Sequence, residues 1–224
     1  NIASLFHNMG DTKIAKNFYK KAIELKPDYV EAYNNLGILC NQINENENSI
    51  SYFKEAIDIN SSYYDAYFNL ALVFDKIGQS EKAINFYKEA IKVNPNFSNA
   101  YNNLGISYKK IGKYQKAQES YEMAIKINPK FSDAYNNLGV ILSDLGRTQD
   151  AIYNYSESFM YNNKNKEAQL NLINDLTFYI PNKSNNFNNP IIAANDALRD
   201  VYYNFTFEDL LNEKNLPIFF NNSN

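Results

Sequence analysis

The chain has 224 residues, 45% of them apolar, a formal charge of −3, one Cys (Cys40), one His (His7), no Trp and 38 Asn. A lone Cys rules out an internal disulfide framework and a Cys-cluster zinc site, and a lone His rules out His-rich metal centres and most His-based catalytic pairs. Lys and Arg total 22 against 25 Asp and Glu, which leaves no basic footprint for a phosphate backbone, and no apolar run approaches the roughly 18 to 20 residues that cross a bilayer. The expectation is a protein with no catalytic site, metal, cofactor, nucleic-acid partner or membrane span within these residues.

In chain order the sequence is a repeat. Residues 1–29 read as the later part of one repeat, because Asn1 aligns with Asn35. Full repeats are expected over 30–63, 64–97, 98–131 and 132–165, with one further helix over 166–180. Glu31-Ala-Tyr-Asn-Asn-Leu-Gly37 returns as Asp65-Ala-Tyr-Phe-Asn-Leu-Ala71, Asn99-Ala-Tyr-Asn-Asn-Leu-Gly105 and Asp133-Ala-Tyr-Asn-Asn-Leu-Gly139, each 34 residues on. A second signature runs through Gly10, Gly78, Gly112 and Gly146, then Ala15, Ala83, Ala117 and Ala151, then Tyr19, Phe53, Tyr87, Tyr121 and Tyr155.

Each period divides into two amphipathic helices. Over Asp65 to Ile77 the residues Ala66, Leu70 and Phe74 share a face, and Gly78 is a natural stop. Over Ser80 to Val93 the inner face carries Ala83, Tyr87, Ala90 and Ile91, with Ser80 as the expected N-cap. Asn94-Pro95 then ends the helix, because proline lacks a donor and disfavours helical geometry in the residue before it. Such a hairpin cannot bury its faces alone and must stack on its neighbours. Repeat 30–63 departs most from the pattern, with Asn44 at the glycine position, Ser49 at the alanine position and Ser61 at the proline position, and is expected to be the loosest. A start in mid-helix without Met suggests a piece of a longer protein.

Residues 181–189 read as an Asn-rich linker. Residues 190–224 are expected to form a helical extension and tail. Pro190 leads a stretch of about 15 residues with Ile191, Ala194, Leu198, Val201, Tyr202 and Phe205 on one face, and a short helix is expected over Phe207 to Lys214. Two readings stay open, a helix packing back on the last repeat or the start of a further domain.

Period and residue pattern together resemble the tetratricopeptide repeat (TPR). The resemblance implies an all-α fold, a TPR α-solenoid in the form of a right-handed superhelix of antiparallel helix pairs, with the first helix of each pair lining a concave face. On that face Asn35, Asn69, Asn103, Asn137 and Asn171 occupy one register, with Asn1 in the partial repeat. Composition alone rarely places Asn at all six positions.

Stacked helices lie roughly 9 to 10 Å apart, and an extended peptide advances about 3.3 Å per residue, so one Asn would meet every third residue of a partner. An Asn amide both donates and accepts, and can read a peptide backbone while ignoring its side chains. A structural alternative is that these Asn bond to one another across repeats. A second row, Glu31, Asp65, Asn99, Asp133 and Glu167, is mostly acidic. Helix N-termini favour carboxylates, and the other reading is a groove edge, with Asp65 and Asp133 as its candidates, that favours basic partner segments.

Within the TPR proteins, chaperone-tail clamps use Lys and Arg on this groove, where this chain has Asn34, Asp65, Asn99 and Asn103. The near-identical Ala-Tyr-Asn-Asn-Leu-Gly units, each with the groove Asn, resemble the arm of the nucleocytoplasmic O-GlcNAc transferases and their SPINDLY-type O-fucosyl relatives. The helix Lys166 to Ile180 is similar to the transition helix toward the catalytic region in the SPINDLY type. That resemblance implies backbone contacts to acceptor proteins through Asn35, Asn69, Asn103, Asn137 and Asn171, and a cytoplasmic or nuclear setting. The expected function is a peptide-binding scaffold. Its alternatives are a fragment of an O-glycosyltransferase whose catalytic region lies outside this chain, and an assembly scaffold that forms homo-oligomers.

Overall fold

The computed structural model describes residues 2–183. Asn1 and the helices expected within 190–214 lie outside the described residues. Among the described residues eleven helices follow one another, α1 (Ile2–Asn8), α2 (Thr12–Leu25), α3 (Val30–Gln42), α4 (Asn46–Ile59), α5 (Tyr64–Lys76), α6 (Ser80–Val93), α7 (Ser98–Lys110), α8 (Tyr114–Ile127), α9 (Ser132–Asp144), α10 (Thr148–Tyr161) and α11 (Lys166–Lys183). They pair as hairpins in the expected order, which makes the fold an all-α solenoid of helix pairs. Helix α11 runs three residues beyond the end expected for it. The chain forms two compact units, 1–127 and 128–224.

Left-handed backbone turns each first helix back toward its partner. Gly10, Gly78, Gly112 and Gly146 have φ between +73° and +82°, and Asn44 takes the same role at +61°. After α5 the amide of Gly78 reaches Asp75 O at 3.2 Å and that of Gln79 reaches Phe74 O at 2.8 Å, so the last carbonyls of the helix are satisfied. Asn44 substitutes for glycine here because asparagine is among the few side chains that visit the left-handed region. The turns between repeats use a second set of asparagines. Asn60, Asn94, Asn128 and Asn162 each accept, through Oδ1, the backbone N–H two residues on, at 2.9 to 3.2 Å.

Inside each hairpin small residues face large rings. In the first unit Ala15, Phe53, Ala83, Tyr87, Ala117 and Tyr121 are buried. A Cβ added at Gly37 would lie 2.7 Å from the ring of Phe53, and one at Gly105 would lie 2.5 Å from that of Tyr121. In the second unit the same relation holds between Gly139 and Tyr155, at 2.6 Å. Glycine is required at these positions so that an aromatic ring can lie flat on helix backbone.

The departures in repeat 30–63 have local remedies. Ser49 is fully buried and donates to Gly37 O at 2.8 Å, which satisfies its hydroxyl. Cys40 is buried among Ala15, Tyr19, Leu36 and Leu39, and burial pushes its thiol up to about 11. It is a core residue rather than a nucleophile. Ser80 differs from expectation. Gln79 is the N-cap and makes no side-chain cap bond, whereas Ser80 opens the helix and donates to Asp75 Oδ1 at 3.2 Å. The carboxylate five residues back competes successfully for the hydroxyl.

Candidate peptide-binding ladder

The first helices bear the ladder. In the first unit Asn35, Asn69 and Asn103 lie on α3, α5 and α7, and each is half-buried. In the second unit Asn137 and Asn171 lie on α9 and α11 and are half-buried as well. In α3, α7 and α9 the preceding residue is deeper, with Asn34, Asn102 and Asn136 buried, whereas Phe68 of α5 is half-buried and Leu170 of α11 is exposed. On those three helices a buried amide stands beside a half-exposed one.

These amides bond across repeats. Asn69 Nδ2 donates to Asn34 Oδ1 at 2.9 Å, and Asn171 Nδ2 donates to Asn136 Oδ1 at 3.1 Å. Both contacts join residue i to residue i+35, one repeat and one residue on. Asn103 has no such acceptor, because the matching residue of the preceding repeat is Phe68. Its Oδ1 instead accepts from its neighbour Asn102 at 3.3 Å. Phe68 packs on Phe97 with ring centroids 4.8 Å apart and on Tyr87 at 5.7 Å. Asn69 and Asn171 thus bond across repeats, as the structural alternative for the ladder expects, and both residues are half-buried.

The acidic row lies one turn before the ladder, Asp65 before Asn69 and Asp133 before Asn137, at the i, i+4 spacing that places side chains on one face. Asp65 is half-buried, and burial raises its carboxyl above the ordinary aspartate value. Asp133, Glu31 and Glu167 are exposed.

A further row runs beside the ladder. Ile38, Leu72 and Ile106 in the first unit, and Val140 in the second, stand three residues after Asn35, Asn69, Asn103 and Asn137 and are half-buried, whereas Asn174 holds that place after Asn171. Their signal was an aliphatic residue recurring every 34 positions. Full burial of such a side chain is worth about 1.5 to 3 kcal/mol, against about 0.5 to 1.5 kcal/mol for a net hydrogen bond. The exposed part of each aliphatic side chain is thus comparable in worth to a hydrogen bond of the neighbouring amide.

The C-terminal ends of the first helices are joined by polar links. Lys76 Nζ donates to Asn41 O at 2.6 Å and to Asn41 Oδ1 at 3.1 Å, and Lys110 pairs with Asp75 at 3.4 Å. Ser107 Oγ donates to Asp75 Oδ2 at 2.5 Å. In the second unit the matching pair is reversed, with Ser143 Oγ donating to Asp175 Oδ1 at 3.1 Å. His7 lies at the equivalent end of α1, with Nε2 2.6 Å from Gln42 Oε1. Among the described residues no group of three or more His, Cys, Asp or Glu is placed to hold a metal ion, and no helix is long and apolar enough to cross a membrane.

Stacked helix hairpins with a polar and aliphatic strip along their first helices define a helical-repeat interaction module. Models of the tetratricopeptide repeat match residues 3–40, 30–63, 64–97 and 98–131, more than half of the chain, and the chain belongs to that family. A model described as the Est1 DNA/RNA binding domain matches residues 117–178. No curated relative matches in sequence.

Among solved structures the chain is similar to MamA, at 27% identity and TM-score 0.66, over 75% of this chain and 98% of that one. It is also similar in fold to YrrB, described as a TPR protein with an unusual peptide-binding site, at 19% identity and TM-score 0.62, over 88% of this chain and 98% of that one. A third is pilF of Pseudomonas aeruginosa, at 17% identity and TM-score 0.74, over 91% and 90%.

Proposed function

We propose that this chain is a protein-binding scaffold that holds extended segments of partner proteins along the first helices of its repeats. The observation that carries the reading is the paired row on each unit, a half-buried Asn with a half-buried aliphatic side chain one turn on. The amides suit a peptide backbone, and the aliphatic residues suit apolar side chains spaced along it. YrrB, similar in fold, is described as having a peptide-binding site. Protein is favoured over nucleic acid because residues 117–178 carry five Lys or Arg against eight Asp or Glu.

The test is a peptide-array screen followed by titration with Asn35→Ala and Ile106→Asn. Asn35 is half-buried and is not a donor in the inter-repeat amide pairs made by Asn69 and Asn171, so its replacement probes binding with little structural consequence. Each variant is expected to weaken binding about two- to tenfold, the span of one net hydrogen bond or a half-buried aliphatic contact. Unchanged affinity in both would overturn the reading. Asp65 and Asp133 are proposed to favour basic segments, which would show as affinity falling with added salt.

A second reading, favoured by the Ala-Tyr-Asn-Asn-Leu-Gly units, makes this strip the substrate-recognition arm of a cytoplasmic or nuclear protein O-glycosyltransferase. Finding a glycosyltransferase region in the same reading frame would establish it, and finding none would end it.

A further inference from the structure

The turn between α7 and α8 is the most basic of the described hairpin turns. Lys109, Lys110, Lys113 and Lys116 stand there, within a run from 90 to 118 that has five Lys and no Asp or Glu, in a chain whose formal charge is −3. The same four positions hold at most two cations in the other described turns, and each of those turns has a carboxylate among them, at Asp11, Glu45, Asp75 or Asp144. Helix α8 also differs at its start. Glu47, Glu81 and Asp150 lie in the first turns of α4, α6 and α10, whereas the first turn of α8 has no acidic residue and contains Lys116. That is the helix end at which a cation is least favourable.

Tyr108 organises the group. Its ring is buried, and Lys88 Nζ of α6 and Lys116 Nζ of α8 each lie 5.8 Å from its centroid. Its carbonyl accepts the Lys113 N–H at 2.9 Å, in a turn that Gly112 makes with φ +73°. Lys88, Lys113 and Lys116 are exposed and Lys109 is half-buried. Lys110 is paired with Asp75, but none of the other four enters an ion pair with a described residue. Two ammoniums on one ring lie no more than about 12 Å apart, near the Debye length of about 8 to 10 Å, so salt screens their repulsion only in part. A bound anion relieves it.

We infer that this turn, with Lys88, Lys109, Lys113 and Lys116 grouped about Tyr108, is a docking site for a carboxylate-rich segment of a partner protein. The four charges come from α6, α7, the turn itself and α8 rather than from one point, which matches a run of Asp or Glu side chains better than a single phosphoryl group. All four are Lys, a compact charge without the planar fork by which Arg grips phosphate. Nucleic acid fits less well, because Asp75 pairs with Lys110, and Glu89 and Glu119 follow Lys88 and Lys116 along their helices, where a polyanionic backbone would meet them. The site does not rest on the strip of amides and aliphatic side chains along the first helices.

The experiment is fluorescence anisotropy on the full chain, with labelled hexaglutamate as the probe and hexaglutamine as the neutral control. Hexaglutamate is expected to bind saturably at low salt and to weaken about threefold or more at physiological ionic strength, while hexaglutamine does not bind. Lys113→Gln and Lys116→Gln should each weaken binding about two- to fivefold, and adding Lys109→Gln to the pair should remove it. Lys113→Arg, which keeps the charge, should retain it. Lys82→Gln is the control for a merely structural role, because Lys82 Nζ lies 5.5 Å from the Phe74 ring in the same manner, in a turn that contains Asp75. It should leave binding unchanged. Failure of hexaglutamate to bind, equal weakening by Lys82→Gln, or binding that survives the triple variant would overturn the inference. Tighter binding of a phosphoserine peptide or of oligothymidylate of the same net charge would overturn it in favour of that ligand.

Discussion

Asn69 Nδ2 donates to Asn34 Oδ1 at 2.9 Å, and the pair joins the first helices of successive repeats. One ladder residue thus serves as an inter-repeat clasp and as a half-exposed amide. A double-mutant cycle on Asn34→Ala and Asn69→Ala should give a coupling of about 0.5 to 1.5 kcal/mol in urea unfolding. Asn103→Ala should cost less, because its counterpart in the preceding repeat is Phe68. Equal costs for Asn69 and Asn103 would remove the clasp from the account.

Asp75 with Ser107, and Ser143 with Asp175, are one contact made with donor and acceptor exchanged. The exchange should be transferable. Asp75→Ser or Ser107→Asp alone is expected to destabilise by about 1 to 3 kcal/mol, and the double variant to recover part of that loss. Recovery stays incomplete because Ser80 and Lys110 also depend on Asp75. Thermal melts of the three variants are sufficient to check this.

Burial holds the Asp175 carboxyl above the ordinary aspartate value, and its Oδ2 is buried without a hydrogen bond. A raised value in the folded state means that folding favours the protonated form. The stability it contributes is fully present below the unfolded value of about 3.9 and is lost as pH rises through the folded one. Asp175→Asn should therefore raise the melting temperature at pH 7, by up to about 1 kcal/mol of stability, and the gain should shrink toward pH 4. A gain independent of pH would contradict the assignment.

Gly105→Ala places a methyl group 2.5 Å from the Tyr121 ring and should cost about 1 to 3 kcal/mol through overpacking. Ala71 is already accommodated at the same repeat position, opposite Tyr87. Ala71→Gly should cost close to the helix-propensity difference of about 1 kcal/mol. Melting curves of the two single variants test whether ring placement differs between these repeats.

Much of the fold was legible because its determinants are local. The 34-residue period, the small-against-aromatic pairing and the ladder register all follow from spacing along one helix. Asn44 was legible only as a departure, and its φ of +61° shows that it performs the glycine's task. The Asn excess proved to contain a further structural set, Asn60, Asn94, Asn128 and Asn162, whose side chains fold the turns between repeats. Their period of 34 was in the sequence, hidden among neighbouring asparagines.

Other features depended on distances between residues far apart in the chain. Ser80 had the identity of an N-cap, yet bonds to Asp75 because that carboxylate lies within reach of its hydroxyl. The partners of Asn69, Asn103 and Asn171 depended on whether the residue 35 positions earlier was Asn or Phe. Ser156 stands where the sister helices carry Lys20, Lys54, Lys88 and Glu122, a difference visible in the sequence, but the burial of Ser156 and Glu157 is visible only in the structure. Sequence by itself determined the helices, their pairing and the register of the strip, since these repeat with a short period along one chain. Tertiary structure decided which amides are committed to neighbouring repeats and which faces are covered, because hydrogen bonding and burial depend on what lies within a few ångströms in space.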